Sequence, residues 1–189
     1  MTGAATGGEM EAFMKTALLI VDVQKGLIDE HPYDEKNFLE RLKKLIGAAR
    51  DGGIDVIYVR HEEGKGGPLH EGEPGFEIHS AVAPRTGEMV FTKRYPSSFK
   101  ETDLAKYLDA RGIERLVLAG MQTEHCIDAT CKAAFERGYN VVIPKDGTTT
   151  YDNPFVSGEN LIKFYESMIW NHSCARVLPL ADAIDALER

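Results

Sequence analysis

The sequence predicts an α/β fold in which helices cover both faces of a mostly parallel sheet, giving a three-layer α/β/α sandwich. Short apolar, β-branched segments alternate with amphipathic segments of helical period along most of the chain. The connections between successive strands are long enough for crossovers, which parallel pairing requires. Glycines follow several of the helical segments, where helices commonly end. Six strands are expected.

The first half of the predicted sheet begins at residues 16–23, a continuous apolar run that is typical of a parallel strand buried on both faces. A helix is expected at residues 34–50, where apolar side chains recur at helical spacing before two glycines. Residues 54–59 and 88–92 are predicted as the second and third strands. Residues 62–86 lie between them and are rich in Gly and Pro, so we expect a surface loop that frames a pocket.

The second half of the chain repeats this alternation of helix and strand. The three remaining strands are expected at residues 115–119, 140–143 and 175–178. The helices around them are expected at residues 102–111, 123–137, 157–170 and 181–187.

Composition restricts the classes of protein to which the chain can belong. Its 189 residues are 43% hydrophobic and 28% charged, which is typical of a soluble globular protein. We expect a single domain at residues 15–189 after a flexible N-terminal tail at residues 1–14, which lacks the basic start and apolar run of a signal peptide. No apolar stretch approaches the roughly 20 residues that cross a membrane.

Charge and cysteine content narrow the partners and the compartment. The net charge of -8 at pH 7 argues against nucleic acid as a partner, because phosphate binding needs a basic face. Three cysteines without a CxxC pair form neither a disulfide framework nor a structural zinc site, so we expect a reducing, cytoplasmic location. No cofactor is expected.

Three reactive side chains follow predicted strands, at the edge of the sheet where parallel α/β folds bind ligands. They are Asp22 after strand one, Lys93 after strand three and Cys126 after strand four. Each has an ordinary structural explanation, namely a helix cap, a solvated charge or a small buried apolar residue. Their occurrence together at one edge indicates a catalytic site.

Cys126 is expected in the first turn of a helix for which Thr123 can serve as the N-cap. There the helix dipole and a nearby ammonium would lower the pKa of the thiol, and free backbone N–H groups could receive an oxyanion. By contrast, Cys131 falls within the helix and Cys174 beside a strand, so we expect both to be buried.

Three segments resemble, in order, the signatures of isochorismatase-like cysteine hydrolases. They are LLIVDVQ at residues 18–24, FTKRYPSSF at 91–99 and GMQTEHCID at 120–128, and the similarity extends to residues 74–79 and 146–150. The resemblance implies the Rossmann-like fold of isochorismatase-like hydrolases. It also implies hydrolysis of a C–N bond in a small amide, carbamoyl or ureide substrate by a triad of Asp22, Lys93 and Cys126.

Roles within this triad follow from the same resemblance. Cys126 would attack the carbonyl carbon and form an acyl-enzyme, Asp22 would carry protons, and Lys93 would balance charge. The family usually has a cis peptide four residues before the cysteine, here between Met121 and Gln122. The oxyanion hole would then consist of the N–H groups of Gln122 and Cys126.

Candidate pocket residues and an oligomeric state can also be suggested. Gln24, Tyr95 and His125 are neighbours in sequence of Asp22, Lys93 and Cys126 and could line the pocket, although packing or capping explains each equally well. Because the family commonly forms dimers or tetramers, we expect a homodimer or homotetramer.

Other activities within the superfamily fit the residues less well. Nicotinamidases place an Asp-x-His motif after strand two to bind a metal, whereas this chain has Val59 two residues before His61. His61, His70 and His79 could cluster on a metal, but scattered loop histidines are more often surface residues, and no metal is expected. Isochorismatases, which cleave a vinyl ether, lack the cysteine nucleophile. Proteins of other classes, either a redox-active thiol protein or a non-catalytic binding domain, are further alternatives.

Overall fold

The computed structural model describes residues 14–188, which contain a parallel sheet of seven strands. In chain order the strands are β1 (Thr16–Val21), β2 (Asp55–His61), β3 (Met89–Lys93), β4 (Arg115–Met121), β5 (Asn140–Pro144), β6 (Thr148–Thr149) and β7 (Arg176–Leu178). Across the sheet the order is β3, β2, β1, β4, β5, β7, and β6 pairs with the last residues of β4.

Six α-helices and two π-helical segments connect the strands in the described residues. The α-helices are α1 (Lys25–Ile28), α2 (Glu35–Asp51), α3 (Leu104–Ala110), α4 (Asp128–Glu136), α5 (Gly158–Phe164) and α6 (Leu180–Glu188). The π-helical segments are Thr123–Ile127, directly before α4, and Tyr165–Trp170, directly after α5. None of these helices combines the length and the apolar character needed to span a membrane.

Two apolar clusters, one on each face of the sheet, form the core. All six residues of β1 are buried, as the unbroken apolar run predicted. Leu19 and Val21 pack in a cluster with residues of α3, α4 and the segment Tyr165–Trp170. Leu18 and Ile20 point to the other face and pack with residues of α2 and α6. The predicted three-layer α/β/α class is therefore confirmed.

Differences from the predicted elements include β6, α1 and the end of β3. β6 adds a seventh strand to the six expected, because two residues are too short to show a period in the sequence. The four-residue helix α1 was not predicted for the same reason. Lys93 is the last residue of β3 rather than the residue after it. The proposed tail lies largely outside the described residues, and a single domain at residues 15–189 stays a prediction.

Candidate active site

Asp22, Lys93 and Cys126 meet at the carboxyl edge of the sheet. Lys93 Nζ lies 2.6 Å from Asp22 Oδ2 and donates a hydrogen bond to Cys126 Sγ over 3.2 Å. Asp22 and Lys93 are each 1% exposed, so the ion pair is shielded from water. Because β2 separates β3 from β1 in the sheet, only a long side chain at position 93 can reach Asp22.

The backbone is unusual in three places at Asp22 and around the end of β4. Asp22 itself has a φ of 54°, in the left-handed region, and its N–H still donates to Val59 O of β2 at 2.8 Å. Gly120 pairs with Val21 and has a φ of 135°. A Cβ atom at position 120 would overlap the backbone of Val21, so only glycine permits this approach. The peptide bond between Met121 and Gln122 is cis.

The helical segment that carries Cys126 begins differently from the sequence prediction. Thr123 is not the N-cap, which is Gln122 and makes no side-chain capping bond. Thr123 Oγ1 instead lies 2.9 Å from Thr148 Oγ1 and 3.3 Å from Thr149 O, so the side chain is bound to β6. The prediction failed because these partners belong to the short strand that the sequence did not reveal.

The electrostatics of Cys126 also differ from the expectation. Burial and the negative charge of Asp22 raise the pKa of the Cys126 thiol to about 12, and Lys93 offsets only part of this rise. The net shift of the Cys126 pKa is therefore upward, whereas a lowered pKa was expected, and Lys93 acts in the expected direction. Asp22 and Lys93 thus form an ion pair beside the Cys126 thiol.

His61 also contacts Lys93, a position that was not predicted from the sequence. It ends β2, in register with Lys93 on β3, and its Nδ1 lies 3.3 Å from Lys93 Nζ. Burial and the charge of Lys93 lower the pKa of His61. Its position at the end of a strand next to β1 was the signal that could have identified it.

The three histidines considered as metal ligands do not converge. His70 Nδ1 lies 2.9 Å from Glu62 Oε1, and His79 Nδ1 accepts a hydrogen bond from Ala81 N at 3.3 Å. Within residues 14–188, no three His, Cys, Asp or Glu side chains are arranged to hold a metal ion.

Gln24 is buried and bound to the main chain at both ends of its amide. Its Nε2 donates to His61 O at 2.9 Å and to Phe76 O at 3.0 Å, while its Oε1 accepts from His61 N at 2.8 Å. Gln24 therefore joins the end of β2 to the short 3-10 turn Pro74–Phe76 of the long loop. Its amide is thus held by main-chain partners.

Tyr95 and His125, the other two predicted pocket residues, contact side chains outside the triad. Tyr95 is partly buried, with the Lys100 ammonium 3.9 Å from the centre of its ring. The side chain of His125 is 64% exposed, and its Nε2 lies 3.8 Å from Glu124 Oε1. Among the described residues, neither forms a hydrogen bond with Asp22, Lys93 or Cys126.

The other two cysteines form a separate buried pair. Cys131 and Cys174 are 0% and 7% exposed, which confirms the prediction that both are buried. Their Sγ atoms lie 3.5 Å apart. Burial and the neighbouring thiol raise the pKa of Cys131.

Comparison with known proteins identifies the family. The isochorismatase domain model matches residues 16–162. A streptothricin hydrolase from Streptomyces noursei is 35% identical over 140 residues, which cover 73% of this chain and 51% of the relative. Maleamate amidohydrolase from Pseudomonas putida is 30% identical over 151 residues, covering 70% of this chain and 71% of the relative. This chain belongs to the isochorismatase family.

Solved structures agree with the sequence comparison. The crystal structure of a protein from Oleispira antarctica, described as an isochorismatase hydrolase, superposes with a TM-score of 0.85 at 31% identity. The superposition covers 93% of this chain and 99% of that one. The chain spans a little over half the length of the two streptothricin hydrolases that it matches, 51% and 57%.

Proposed function

We propose that this protein is a cysteine hydrolase that cleaves the C–N bond of a small amide, carbamoyl or ureide through a covalent intermediate on Cys126. The observation that carries the proposal is the buried Lys93 ammonium, 2.6 Å from Asp22 Oδ2 and 3.2 Å from Cys126 Sγ. A thiol, a base and a fixed cation within one contact network are the groups that nucleophilic acyl transfer requires.

The first half-reaction begins with proton transfer from Cys126 to Asp22. Asp22 Oδ1 is buried and accepts no hydrogen bond from the described residues, which leaves it free to receive the thiol proton. As the proton leaves, Sγ attacks the carbonyl carbon, and Lys93 stabilises whichever of Asp22 and Cys126 carries the negative charge. The N–H groups of Gln122 and Cys126 are proposed to bind the oxyanion.

Collapse of the tetrahedral intermediate breaks the C–N bond. Asp22 returns its proton to the leaving nitrogen, which departs as ammonia or an amine, and a thioester or thiocarbamate remains on Cys126. In the second half-reaction Asp22 takes a proton from water, and the resulting hydroxide attacks the acyl carbon. The Cys126 thiolate leaves and recovers its proton from Asp22, so the site returns to its starting state.

The substrate class rests on the family and on the names of relatives. Maleamate amidohydrolase, by its name, hydrolyses an amide, and it covers most of this chain at 30% identity. Nothing in the site favours the nicotinamidase-like or vinyl-ether alternatives. Disulfide exchange at Cys126 is also not favoured, because the two remaining thiols of the chain contact each other.

The proposal is tested by incubating the protein with a panel of small primary amides, carbamoyl compounds and ureides and measuring ammonia release. Hydrolysis of at least one class is expected, with loss of activity in Cys126→Ala and Asp22→Ala. Cys131→Ala serves as a matched control, since it changes a cysteine in the same helical segment. Full activity of Cys126→Ala would overturn the mechanism.

A homodimer or homotetramer is also proposed. Phe155 and Met168 are 96% and 70% exposed, which is unusual for apolar side chains of this size and is compatible with a subunit interface. Sedimentation equilibrium of the wild type and of Met168→Glu tests this. A monomeric wild type at micromolar concentration would contradict the proposal.

A further inference from the structure

The Lys93 ammonium has three N–H donors, and in the described residues three polar atoms lie within 3.3 Å of its Nζ. Asp22 Oδ2, Cys126 Sγ and His61 Nδ1 lie 2.6, 3.2 and 3.3 Å from Nζ. Asp22 and Cys126 take part in the proposed reaction, whereas His61 has no role in its steps. The contact with His61 therefore constrains the orientation of the Lys93 ammonium.

This contact determines which ring nitrogen of His61 carries the proton. If Nδ1 carried a hydrogen, that hydrogen would point at the Lys93 ammonium, whose Nζ lies 3.3 Å from Nδ1, and the two groups would repel each other. Nδ1 must therefore offer its lone pair, so the neutral ring carries its proton on Nε2. The main chain of His61 is fixed as well, because Gln24 binds both its N–H and its carbonyl oxygen.

The Nε2–H group then points away from Lys93. His61 lines a surface pocket of about 500 Å³ together with Glu62, Glu63, Gly64, Lys65, His70 and Arg94. No described residue accepts a hydrogen bond from His61 Nε2. His61 thus belongs both to this pocket and to the contacts of Lys93, and a substrate group that occupies the pocket would meet this donor.

We propose that His61 is a positioning residue of the active site, whose Nδ1 orients the Lys93 ammonium and whose Nε2–H binds an acceptor oxygen of the substrate. The binding of substrate by Nε2–H rests on the proposed function, whereas the contact of Nδ1 with Lys93 can be tested independently of it. It implies that substrates carry a second oxygen acceptor besides the scissile carbonyl.

Charges around His61 act in both directions. Burial and then the charge of Lys93 lower its pKa, whereas the carboxylates of Asp22, Glu62 and Glu63 raise it, and the lowering prevails. His61 is therefore neutral at pH 7. Below its pKa, the ring would be protonated, lose the Nδ1 acceptor and repel Lys93, so activity would fall on the acidic side.

The contact is tested without any substrate by long-range proton–nitrogen NMR of protein labelled in histidine, with His61→Asn identifying the signal. We expect the Nε2–H tautomer at pH 7 and a pKa below the usual 6.5. Lys93→Met should raise this pKa, whereas Lys106→Met, at a residue that is 85% exposed on α3, should not. An Nδ1–H tautomer or an imidazolium at pH 7 in the wild type would overturn the proposal, whether or not Lys93→Met folds.

The substrate part is tested by comparing two variants on the best amide of the panel. Asn at position 61 keeps an acceptor near the place of Nδ1 but lacks Nε2–H and does not titrate. His61→Asn should therefore raise KM about tenfold, change kcat little and lose the acidic limb of the pH profile, whereas His61→Leu should lower kcat. His31→Asn, at a side chain that is 82% exposed, is the control.

Two outcomes distinguish failure of the proposed role of His61 from failure of the proposed hydrolase function. An unchanged KM and an unchanged acidic limb in His61→Asn overturn the role of His61 even if the enzyme is a cysteine hydrolase. If no amide is hydrolysed, the proposed function fails, and the tautomer of His61 still decides the contact with Lys93.

Discussion

Cys126 and Cys131 lie five residues apart in one continuous helical segment, yet their surroundings differ in kind. Cys126 is partly buried and Cys131 is fully buried, and burial raises the pKa of each thiol. Cys126 faces an ammonium and a carboxylate, whereas Cys131 faces the thiol of Cys174 at 3.5 Å. The proposed reactivity therefore comes from the ends of β1 and β3 and not from the helix itself.

The largest effect is expected on turnover. Cys126→Ala should lower kcat/KM by a factor on the order of 10⁴ or more, because the nucleophile is removed. Cys131→Ala should stay within about threefold of the wild type, since this core residue touches no reacting group. Steady-state ammonia release measures both. Similar losses in the two variants would remove the functional difference between the thiols.

The second prediction separates the two charged neighbours of Cys126. Asp22→Asn should lower turnover about 10³-fold because the proton acceptor is lost. The same change should speed alkylation of Cys126 by iodoacetamide at pH 7.5, because the carboxylate that raises the pKa of the thiol is gone while Lys93 remains. Peptide mass spectrometry over time measures the alkylation rate.

Lys93→Met supplies the opposite change in charge. Without the ammonium, the pKa of Cys126 should rise further, and alkylation should be slower than in the wild type. Equal alkylation rates in Asp22→Asn, Lys93→Met and the wild type would show that the ion pair does not control the thiol.

The third prediction concerns selectivity between the thiols in the wild type. Under native conditions iodoacetamide should label Cys126 at least about tenfold faster than Cys131 or Cys174, which are fully or nearly fully buried. In denaturant the three rates should become similar.

The labelling of Cys126 should also rise steeply with pH, because burial and Asp22 raise its pKa to about 12. Faster labelling of Cys131 in the folded protein would reverse the comparison.

The smallest effect is on stability. Cys131→Ala and Cys174→Ala should each lower the free energy of unfolding by about 1–2 kcal/mol, because each leaves a small cavity in the core. The double variant should cost less than the sum, since the two side chains share one contact. Urea denaturation measures all three, and strict additivity would show that the thiols do not interact.

Much of the fold followed from the sequence because its signals are local. The unbroken apolar run of β1, the period of α2 and the alternation of helix and strand predicted the three-layer class. The same alternation placed Asp22, Lys93 and Cys126 at one edge of the sheet, since parallel strands end on the same side. In the structure, Lys93 contacts both Asp22 and Cys126.

Tertiary structure alone decided how these side chains affect one another. The raised pKa of Cys126 depends on burial and on the charge of Asp22 across the sheet, which no local pattern records. Thr123 turned to β6, a strand too short to be seen in the sequence, and Gln24 bound the end of β2. The contact of His61 with Lys93 likewise joins two strands that are distant in sequence. Periodicity along the chain determines which residues face the same edge, but distances across the sheet determine the chemistry they can perform.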